Sequence, residues 1–191
     1  LEEKGDEIFR NADSVVLQVD LHKDIVKKTF ELAEKYQTKM YALVSNMSIA
    51  LERRDFLQKF NCFICNQQEA GMLFLDDYTG KNAEEMREIL ADKIVRAEIP
   101  SMIVTMGAKG AVYACMDGSS GFCPARKVNV KDTTGAGDIF GGSALWKLLQ
   151  LNKAPETLTL EELTDLVRFA CTSAGLSTTR SGGISSVPDY E

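Results

Sequence analysis

The sequence has a single histidine, His22, so histidine-based zinc sites and Ser–His catalysis are almost excluded. It also lacks a basic excess: 22 Lys and Arg face 28 Asp and Glu, and the net charge of −6 disfavours a nucleic-acid-binding surface. No apolar run is long enough to span a bilayer, and no charged start precedes an apolar stretch. We therefore expect no membrane segment, no secretory signal and a cytoplasmic location.

Cysteine is present without the pattern of a disulfide framework. The five cysteines are odd in number and scattered, which indicates a reducing compartment. Cys62 and Cys65 have CxxC spacing, but they stand in a strand-like run. Positions i and i+3 of a strand point to opposite faces, so we interpret both as structural residues.

The sequence has no internal repeat, low-complexity tract or linker, and its 45% hydrophobic content is enough for one core. We therefore predict a single domain over residues 1–191. Strand and helix patterns alternate along the first two-thirds, which predicts an α/β fold with a mostly parallel sheet and helices on both faces. The predicted strands are 14–19, 39–44, 61–65, 100–105, 111–115 (antiparallel), 121–125 and 127–130. The predicted helices are 23–36, 50–60, 82–97, a helix starting at 135–138, and 160–177. Residues 1–10 are polar, and we interpret them as a helix end.

One stretch, Lys131–Gly142, has the composition of an anion-binding loop. Gly135 and Gly137 flank Ala136, and Asp138 precedes an apolar run with helical spacing. The first amides of a helix have no partner within it, and the helix dipole adds partial positive charge there. Glycines let an anion approach these amides closely, so the loop is a candidate phosphate cradle. A carboxylate beside such a cradle suits proton abstraction from a hydroxyl that attacks a phosphoryl group.

Other interpretations of the same stretch are open. In one alternative, the glycines serve only the turn, and Asp138 is a first-turn acid that complements the helix dipole. The spacing of Gly135, Gly137 and Gly141 also fits a dinucleotide-binding GxGxxxG, but that motif requires a strand after the helix, and none is predicted. A GxxxxGK[ST] P-loop is absent.

The string Asp132–Asp138, DTTGAGD, resembles the C-terminal DTxGAGD signature of the PfkB (ribokinase-like) family of sugar and nucleoside kinases. Three further segments resemble family motifs in the same order: Asn66–Glu69 (NxxE), Thr105–Gly110 (TxGxxG) and the C-terminal stretch Thr179–Pro188. The resemblance implies a three-layer αβα fold and transfer of the γ-phosphoryl group of ATP to a hydroxyl of a sugar or nucleoside.

The resemblance also implies roles for individual residues. The amides of Gly135, Ala136 and Gly137 would form the anion hole, and Asp138 would be the general base. Asn66 and Glu69 would organise Mg²⁺, although from the residues alone a helix cap, Asn66 with Glu69 three positions on, is the stronger interpretation. The implied nucleotide-binding residues are Thr105, Gly107, Lys109, Gly110 and Cys171. The implied ligands of a K⁺ ion are Asp132, Thr134, Ser177, Arg180, Gly182 and Ser186.

Two further polar residues follow predicted strands. Asp20 and Asn46 stand where the first two strands end, and ligands of parallel sheets bind at the carboxyl ends of strands. The resemblance to the family implies that Asp20 lies near the acceptor substrate, and we expect Asn46 to contact the substrate as well. A small apolar core position is the alternative interpretation of Cys171.

Family members carry a further N-terminal part with a Gly-Gly substrate signature and a small β lid, and no such segment precedes Leu1. The chain therefore resembles the C-terminal two-thirds of such a kinase. Pairing through the lid is the basis for expecting a homodimer, and ATP with a small-molecule substrate are the expected partners. A truncated, non-catalytic nucleotide-binding module is the alternative function.

Overall fold

The computed structural model describes residues 1–18, 21–44 and 54–189, with the side chains of residues 54 and 55 left undescribed. The strands are β1 (Ser14–Gln18), β2 (Lys39–Leu43), β3 (Cys62–Asn66), β4 (Ser101–Thr105), β5 (Gly110–Cys115) and β6 (Ser120–Pro124). The α-helices are α1 (Gly5–Arg10), α2 (Lys23–Tyr36), α3 (Gln67–Phe74), α4 (Ala83–Ala97), α5 (Ala136–Leu151) and α6 (Leu160–Ser177). Short 3₁₀ helices cover Arg54–Lys59, Gly107–Lys109, Pro155–Thr157 and Ile184–Ser186.

The strands form one six-stranded sheet in the order β1-β2-β3-β4-β5-β6. The first four strands are parallel, and β5 and β6 continue the sheet as antiparallel neighbours. The predicted mostly parallel sheet with an antiparallel fifth strand is therefore confirmed. Parallel neighbours need a crossover connection, and helices α2, α3 and α4 supply crossovers between β1 and β4.

Helices cover both faces of the sheet and give it two hydrophobic cores. One core joins the sheet to α1–α4 and contains Phe30, Leu73 and Leu90. The other joins the sheet to α5 and α6 and contains Leu148 and Leu166. Central parallel strands are buried on both sides for this reason, which explains their nearly continuous apolar sequences. The predicted three-layer arrangement is confirmed.

The CxxC pair shows the two-sided burial directly. Cys62 lies in the core beneath α5 and α6, whereas Cys65 lies in the core beneath α1–α4. Both thiols are fully buried, and burial raises the pKa of Cys62 to about 12 and that of Cys65 well above its ordinary value. The interpretation of this pair as structural residues agrees with their position.

The strand predicted at 127–130 is wrong, because residues 125–130 form no strand. The backbone of the following residues is held by a helix end instead of by a sheet neighbour: the amides of Lys131 and Asp132 both donate to the carbonyl of Thr178, over 2.7 and 3.2 Å. Of the helix predicted at 50–60, residues 50–53 lie outside the described residues, and Arg54–Lys59 is a 3₁₀ helix. Within the described ranges, no helix has both the length and the apolar character needed to cross a membrane.

Candidate active site

The predicted site residues on β3 and β4 are brought together at one edge of the sheet. Asn66 ends β3, Thr105 ends β4, and the two residues pair directly across the parallel ladder. The carboxyl ends of parallel strands are the usual ligand-binding edge of such a sheet. Asp20 and Asn46, the predicted substrate residues, lie outside the described residues.

Asn66 and Glu69 form a capping box at the start of α3. The Asn66 side chain accepts from the Glu69 amide over 2.9 Å, and Glu69 Oε2 accepts from the Asn66 amide over 2.7 Å. Two otherwise unpaired amides of the helix end are thereby satisfied. Burial raises the pKa of the half-buried Glu69, although the hydrogen bond from the Asn66 amide lowers it. Glu69 Oε1 has no hydrogen-bond partner in the described part of the chain, so this oxygen is available to a ligand.

The segment from Thr105 to Gly110 turns the chain from β4 into β5. The Met106 amide donates to the Gly110 carbonyl over 2.7 Å, which closes the turn around the 3₁₀ helix. Thr105 Oγ1 donates to the Cys65 carbonyl over 3.4 Å. The ammonium group of Lys109 donates to the Lys81 carbonyl over 2.8 Å, so here it bridges to the loop before α4.

Helix α5 begins without a side-chain cap. Its N-cap residue is Gly135, which adopts a left-handed conformation with φ of 75° and ψ of 2°. Helices α3, α4 and α6 all begin with capping boxes, whereas no side chain among the described residues accepts from the first amides of α5. Gly137 and Asp138 lie exposed in this first turn. The predicted helix start is therefore observed. The Ala136 amide donates to the Thr133 carbonyl over 3.2 Å, and in the described part of the chain no side chain accepts from the amides of Gly135 and Gly137.

Asp132 ties the glycine loop to the C-terminal segment. Its Oδ1 accepts from the Thr134 amide over 2.9 Å and from Thr134 Oγ1 over 2.7 Å. Its Oδ2 accepts from the Gly182 amide over 2.9 Å. The Gly182 and Thr134 hydrogen bonds lower the pKa of Asp132 from an ordinary 3.8 to about 2.

The other predicted K⁺ ligands make hydrogen bonds within the end of α6 and the C-terminal segment. The Ser177 hydroxyl donates to the Ala174 carbonyl, and the Ser186 hydroxyl donates to the Gly183 carbonyl. The Arg180 amide donates to the Ser177 carbonyl over 3.1 Å. In the described ranges, His, Cys, Asp and Glu side chains form no cluster of three or more that could hold a metal ion. The segment instead offers hydroxyl and carbonyl oxygens with one carboxylate, a donor set suited to hard cations.

The Asp132 network gives the glycine loop a testable acid dependence. A carboxyl whose folded pKa is depressed stabilises the fold fully above its unfolded pKa, and this contribution disappears as the pH falls through the folded value. We expect the melting temperature of the native chain to fall between about pH 4 and pH 2, and the Asp132→Asn variant to lose this part of the dependence. Calorimetric melts across that range measure it.

The matched control for this experiment is Asp117→Asn. Asp117 also accepts hydrogen bonds from a residue two positions on, Ser119, but in the hairpin between β5 and β6. If Asp132→Asn and the native chain lose stability in parallel over the acid range, Asp132 does not stabilise the loop in the way described.

A cavity of about 420 Å³ lies between the β4–β5 turn, the chain after β6, and helices α5 and α6. It brings together six predicted residues: Thr105, Gly107, Gly110, Ala136, Gly137 and Cys171. Sequence reasoning missed several residues of its wall, namely Arg126, Val128, Val130, Phe140, Ala174 and Gly175. The adjacent small residues Ala174 and Gly175 were the available signal, since they leave room beside α6.

Cys171 fits both interpretations of its role. Only 6% of its surface is exposed, and its Sγ donates weakly to the Cys123 carbonyl over 3.9 Å. Burial, with a smaller contribution from Cys123, raises its pKa to about 12. Cys171 is thus a neutral core residue that also lines the cavity.

The glycine loop borders two of three neighbouring hollows. A cleft of about 850 Å³ shares Thr105 and Gly107 with the 420 Å³ cavity and extends past Asn66 to the loop after α3. A groove of about 780 Å³ between α5 and α6 contains Gly135 and Asp138. The first turn of α5 therefore borders a largely apolar cavity and an open groove.

This arrangement defines a three-layer α/β protein whose ligand edge carries an uncapped glycine-rich helix start beside a cavity. The sequence matches the pfkB family carbohydrate kinases over residues 2–190. A guanosine-inosine kinase from Exiguobacterium acetylicum is 31% identical over 165 residues, which are 86% of this chain and 54% of that relative.

Solved structures show the same fold. A ribokinase from Giardia lamblia superposes with a TM-score of 0.81 at 21% identity, covering 97% of this chain and 60% of the other. Ribokinase from Arabidopsis thaliana, solved in complex with ribose and ATP, gives 0.79 at 24% identity, covering 98% of this chain and 56% of the other.

The chain belongs to the pfkB family of carbohydrate kinases, and its fold is ribokinase-like. The chain spans about half the length of the curated relatives that it matches over most of its own length. The GxGxxxG alternative lacks its second strand, because the residues described after α5 contain helices and no strand.

Proposed function

We propose that this chain, as one domain, forms the nucleotide-binding and phosphoryl-transfer part of an ATP-dependent kinase acting on a hydroxyl of a sugar or nucleoside. The observation that carries the proposal is the start of α5. Its amides have no side-chain cap, and Asp138 stands in the same turn beside the 420 Å³ cavity. In a pfkB family member, this combination suits binding of phosphate with a proton acceptor next to it.

The cavity and the cleft suggest how ATP would lie. Its phosphates would lie against the amides of Gly135, Ala136 and Gly137, because a helix start attracts anions. The base would enter the apolar cavity toward Cys171, and the turn formed by Thr105, Gly107, Lys109 and Gly110 would follow the ribose and phosphates. Asn66 and Glu69 would hold Mg²⁺, mainly through water molecules, since Mg²⁺ dehydrates reluctantly.

The chemistry assigned to the chain is positioning and proton removal. The substrate hydroxyl oxygen attacks the γ-phosphorus, the bond from the γ-phosphorus to the β–γ bridging oxygen breaks, and ADP leaves with that oxygen. Asp138 takes the hydroxyl proton, and the loop amides stabilise the charge on the transferring group. A single well-placed donor of this kind can lower the barrier by roughly 3 kcal/mol.

The C-terminal oxygens suit a K⁺ ion. The proposed ligands are Asp132, Thr134, Ser177, Arg180 (through its carbonyl), Gly182 and Ser186. The hydrogen bond from the Gly182 amide to Asp132, which joins the glycine loop to the C-terminal segment, supports this proposal. A cation there would reinforce the loop that carries the anion hole.

The acceptor is proposed as a class. Asp20 and Asn46 remain the candidate contacts to it from this chain. The relatives in the comparisons include a guanosine-inosine kinase and ribokinases, so both a nucleoside and a sugar are consistent with membership of the family. We propose a homodimer as the assembly.

The nucleotide site is testable on the 191-residue chain. We expect Mg-ATP and Mg-ADP, but not NAD(P), to raise the melting temperature, because a ligand at about 100 times its Kd adds roughly 2.7 kcal/mol. Omitting Mg²⁺ should weaken the shift, and K⁺ should strengthen it relative to Na⁺. Absence of any shift with nucleotide would contradict the proposal.

Two glycine variants sharpen this test. Gly175 lines the cavity on α6, so we expect Gly175→Leu to fill it and abolish the nucleotide-induced shift. Gly142 lies exposed on α5, outside the lining of that cavity, and a Cβ there would meet no atom within 4 Å. Gly142→Leu should therefore keep the shift. Equal shifts in the two variants would place the nucleotide elsewhere.

A second candidate function for the 191-residue chain by itself is that of a nucleotide-binding module without catalytic activity. It predicts the same thermal shifts and no phosphorylation of any sugar or nucleoside by the 191-residue chain. Measured turnover by this chain alone would exclude it.

A further inference from the structure

Arg126 lines both hollows that the first turn of α5 borders. The 420 Å³ cavity is lined by Ala136 and Gly137 of that turn, and the groove between α5 and α6 is lined by Gly135 and Asp138. Among the described residues, Arg126 is the one residue that lines both the cavity and the groove. Arg126 therefore lies where these two hollows adjoin.

The Arg126 side chain is exposed, and it starts against helix α6. A Cβ built on Gly175 of α6 would lie 3.4 Å from the Arg126 Cβ. No hydrogen bond or ion pair of Arg126 occurs among residues 1–18, 21–44 and 54–189. The five N–H donors of its guanidinium group are thus available to a ligand.

The charged residues in the described lining of the cavity are all cationic. They are Arg126 and Lys127, and no carboxylate accompanies them, although the chain as a whole has a net charge of −6. The groove adds the carboxylate of Asp138, and in the described part of the chain no ion pair joins Asp138 to Arg126. A cavity lined by charge of one sign attracts a ligand of the opposite sign, in this case an anion.

The transferring phosphoryl group is the part of the proposed reaction that faces both hollows. The nucleotide would occupy the cavity, and Asp138, which lines the groove, would take the proton of the acceptor hydroxyl. The γ-phosphoryl group passes from the nucleotide to that hydroxyl, so it would lie between the cavity and the groove. A cation that lines both hollows is suited to contact this group.

We propose that Arg126 contacts the γ-phosphoryl group of the bound nucleotide and is a further catalytic residue of the transfer step. The inference rests on the proposed function, and it adds a side-chain cation to the amides of the glycine loop. The planar guanidinium group donates two parallel hydrogen bonds to phosphate oxygens. Negative charge spreads over these oxygens in the transition state, and the guanidinium group stabilises it there.

The test compares calorimetric titrations of the 191-residue chain with Mg-ADP and with the magnesium complex of a non-hydrolysable ATP analogue, which has an imido group between the β- and γ-phosphorus atoms. Arg126→Met keeps an unbranched apolar stem and removes the donors. We expect it to weaken binding of the analogue about tenfold or more, the contribution of a charge-assisted hydrogen bond. Binding of ADP should stay nearly unchanged, because ADP has no γ-phosphoryl group.

The matched control is Lys127→Met. Lys127 is an exposed cation that lines the same cavity but not the groove. Its replacement removes the same charge, so any effect should be alike for the two nucleotides. In the protein of natural length, Arg126→Met should also lower kcat by about 10²–10³-fold, the usual loss when one donor to the transition state is removed. The melting temperature without nucleotide should not change, because the side chain is exposed.

The outcomes separate this inference from the proposed function. A loss for ADP as large as that for the analogue, no loss for either, an unchanged kcat, or the same selective loss in Lys127→Met would overturn the role of Arg126. Each of these results would leave the nucleotide site in place. If neither nucleotide binds the native chain, the nucleotide site itself is wrong, and the inference fails with it.

Discussion

Replacing Asp138 by asparagine is expected to lower phosphoryl transfer by about 10²–10⁴-fold, the usual contribution of a positioned general base. Asparagine keeps the size and polarity of the side chain in the first turn of α5, but it cannot take the proton from the attacking hydroxyl. The measurement is kcat with a saturating acceptor and Mg-ATP, made on the protein in its natural length. Nucleotide binding should persist, since the loop amides are unchanged.

The matched control is Asp165→Asn. Asp165 is an exposed acid in a helix, like Asp138, and is paired with Arg168 on the outer side of α6. It should leave kcat unchanged. A native rate in Asp138→Asn, with intact binding and folding, would refute the assigned chemistry and leave a nucleotide-binding site without this base.

Gly110→Ala is expected to be the most damaging single substitution for the fold. Gly110 opens β5 with φ of 120° and ψ of −139°, a conformation that is almost restricted to glycine. A Cβ there would lie 2.0 Å from the Cys123 carbonyl oxygen and 2.7 Å from the Ala125 nitrogen. Backbone strain alone costs about 1–3 kcal/mol, and the clash with β6 raises the expected loss above about 3 kcal/mol.

Gly118→Ala separates these two contributions. Gly118 also has a positive φ, of 90°, but a Cβ there would meet no atom within 4 Å. Gly118→Ala should lose only the stability that the strained backbone costs. Its denaturation midpoint should therefore fall between those of the native chain and Gly110→Ala. Comparable losses in the two variants would mean that the contact with β6 relaxes freely. Because Gly110 also closes the candidate nucleotide turn, Gly110→Ala should lose the ATP-induced thermal shift even where it remains folded.

The elements that sequence reasoning predicted best are those whose signals are local. The bounds predicted for α2 and α6, 23–36 and 160–177, agree with the structure to the residue, because an apolar stripe at helical spacing defines both helices. The helix α1, Gly5–Arg10, was anticipated only as a helix end, since its polar sequence has a weak apolar stripe. The prediction of a strand at 127–130 is wrong for a related reason. Its β-branched residues favour a strand locally, but the hydrogen bond from the Lys131 amide to the Thr178 carbonyl fixes the following backbone outside the sheet.

The residues of the candidate site show the same difference between local sequence signals and contacts made only in the folded chain. Asn66, Thr105 and the glycine loop could be predicted because each belongs to a short motif that resembles one of the family's and stands at the end of a strand or the start of a helix. The wall of the cavity was not, because Arg126 and Gly175 meet only through the packing of α6 against the chain after β6. Packing between elements distant in sequence leaves no periodic signal, so this wall of the cavity became visible only in the structure.

The hydrogen bond between Asp132 and Gly182 has a consequence for the order in which the molecule is made. It joins residues 50 positions apart, and the Lys131 and Asp132 amides also depend on Thr178. A growing polypeptide can pair β1 to β6 before residue 178 has left the ribosome, since the strands precede it in sequence. The glycine loop would therefore be fixed among the last parts of the chain to form. Synthesis proceeds at about 5–20 residues per second. The six-stranded sheet would therefore exist for some seconds before the hydrogen bonds to Thr178 and Gly182 hold the glycine loop in place.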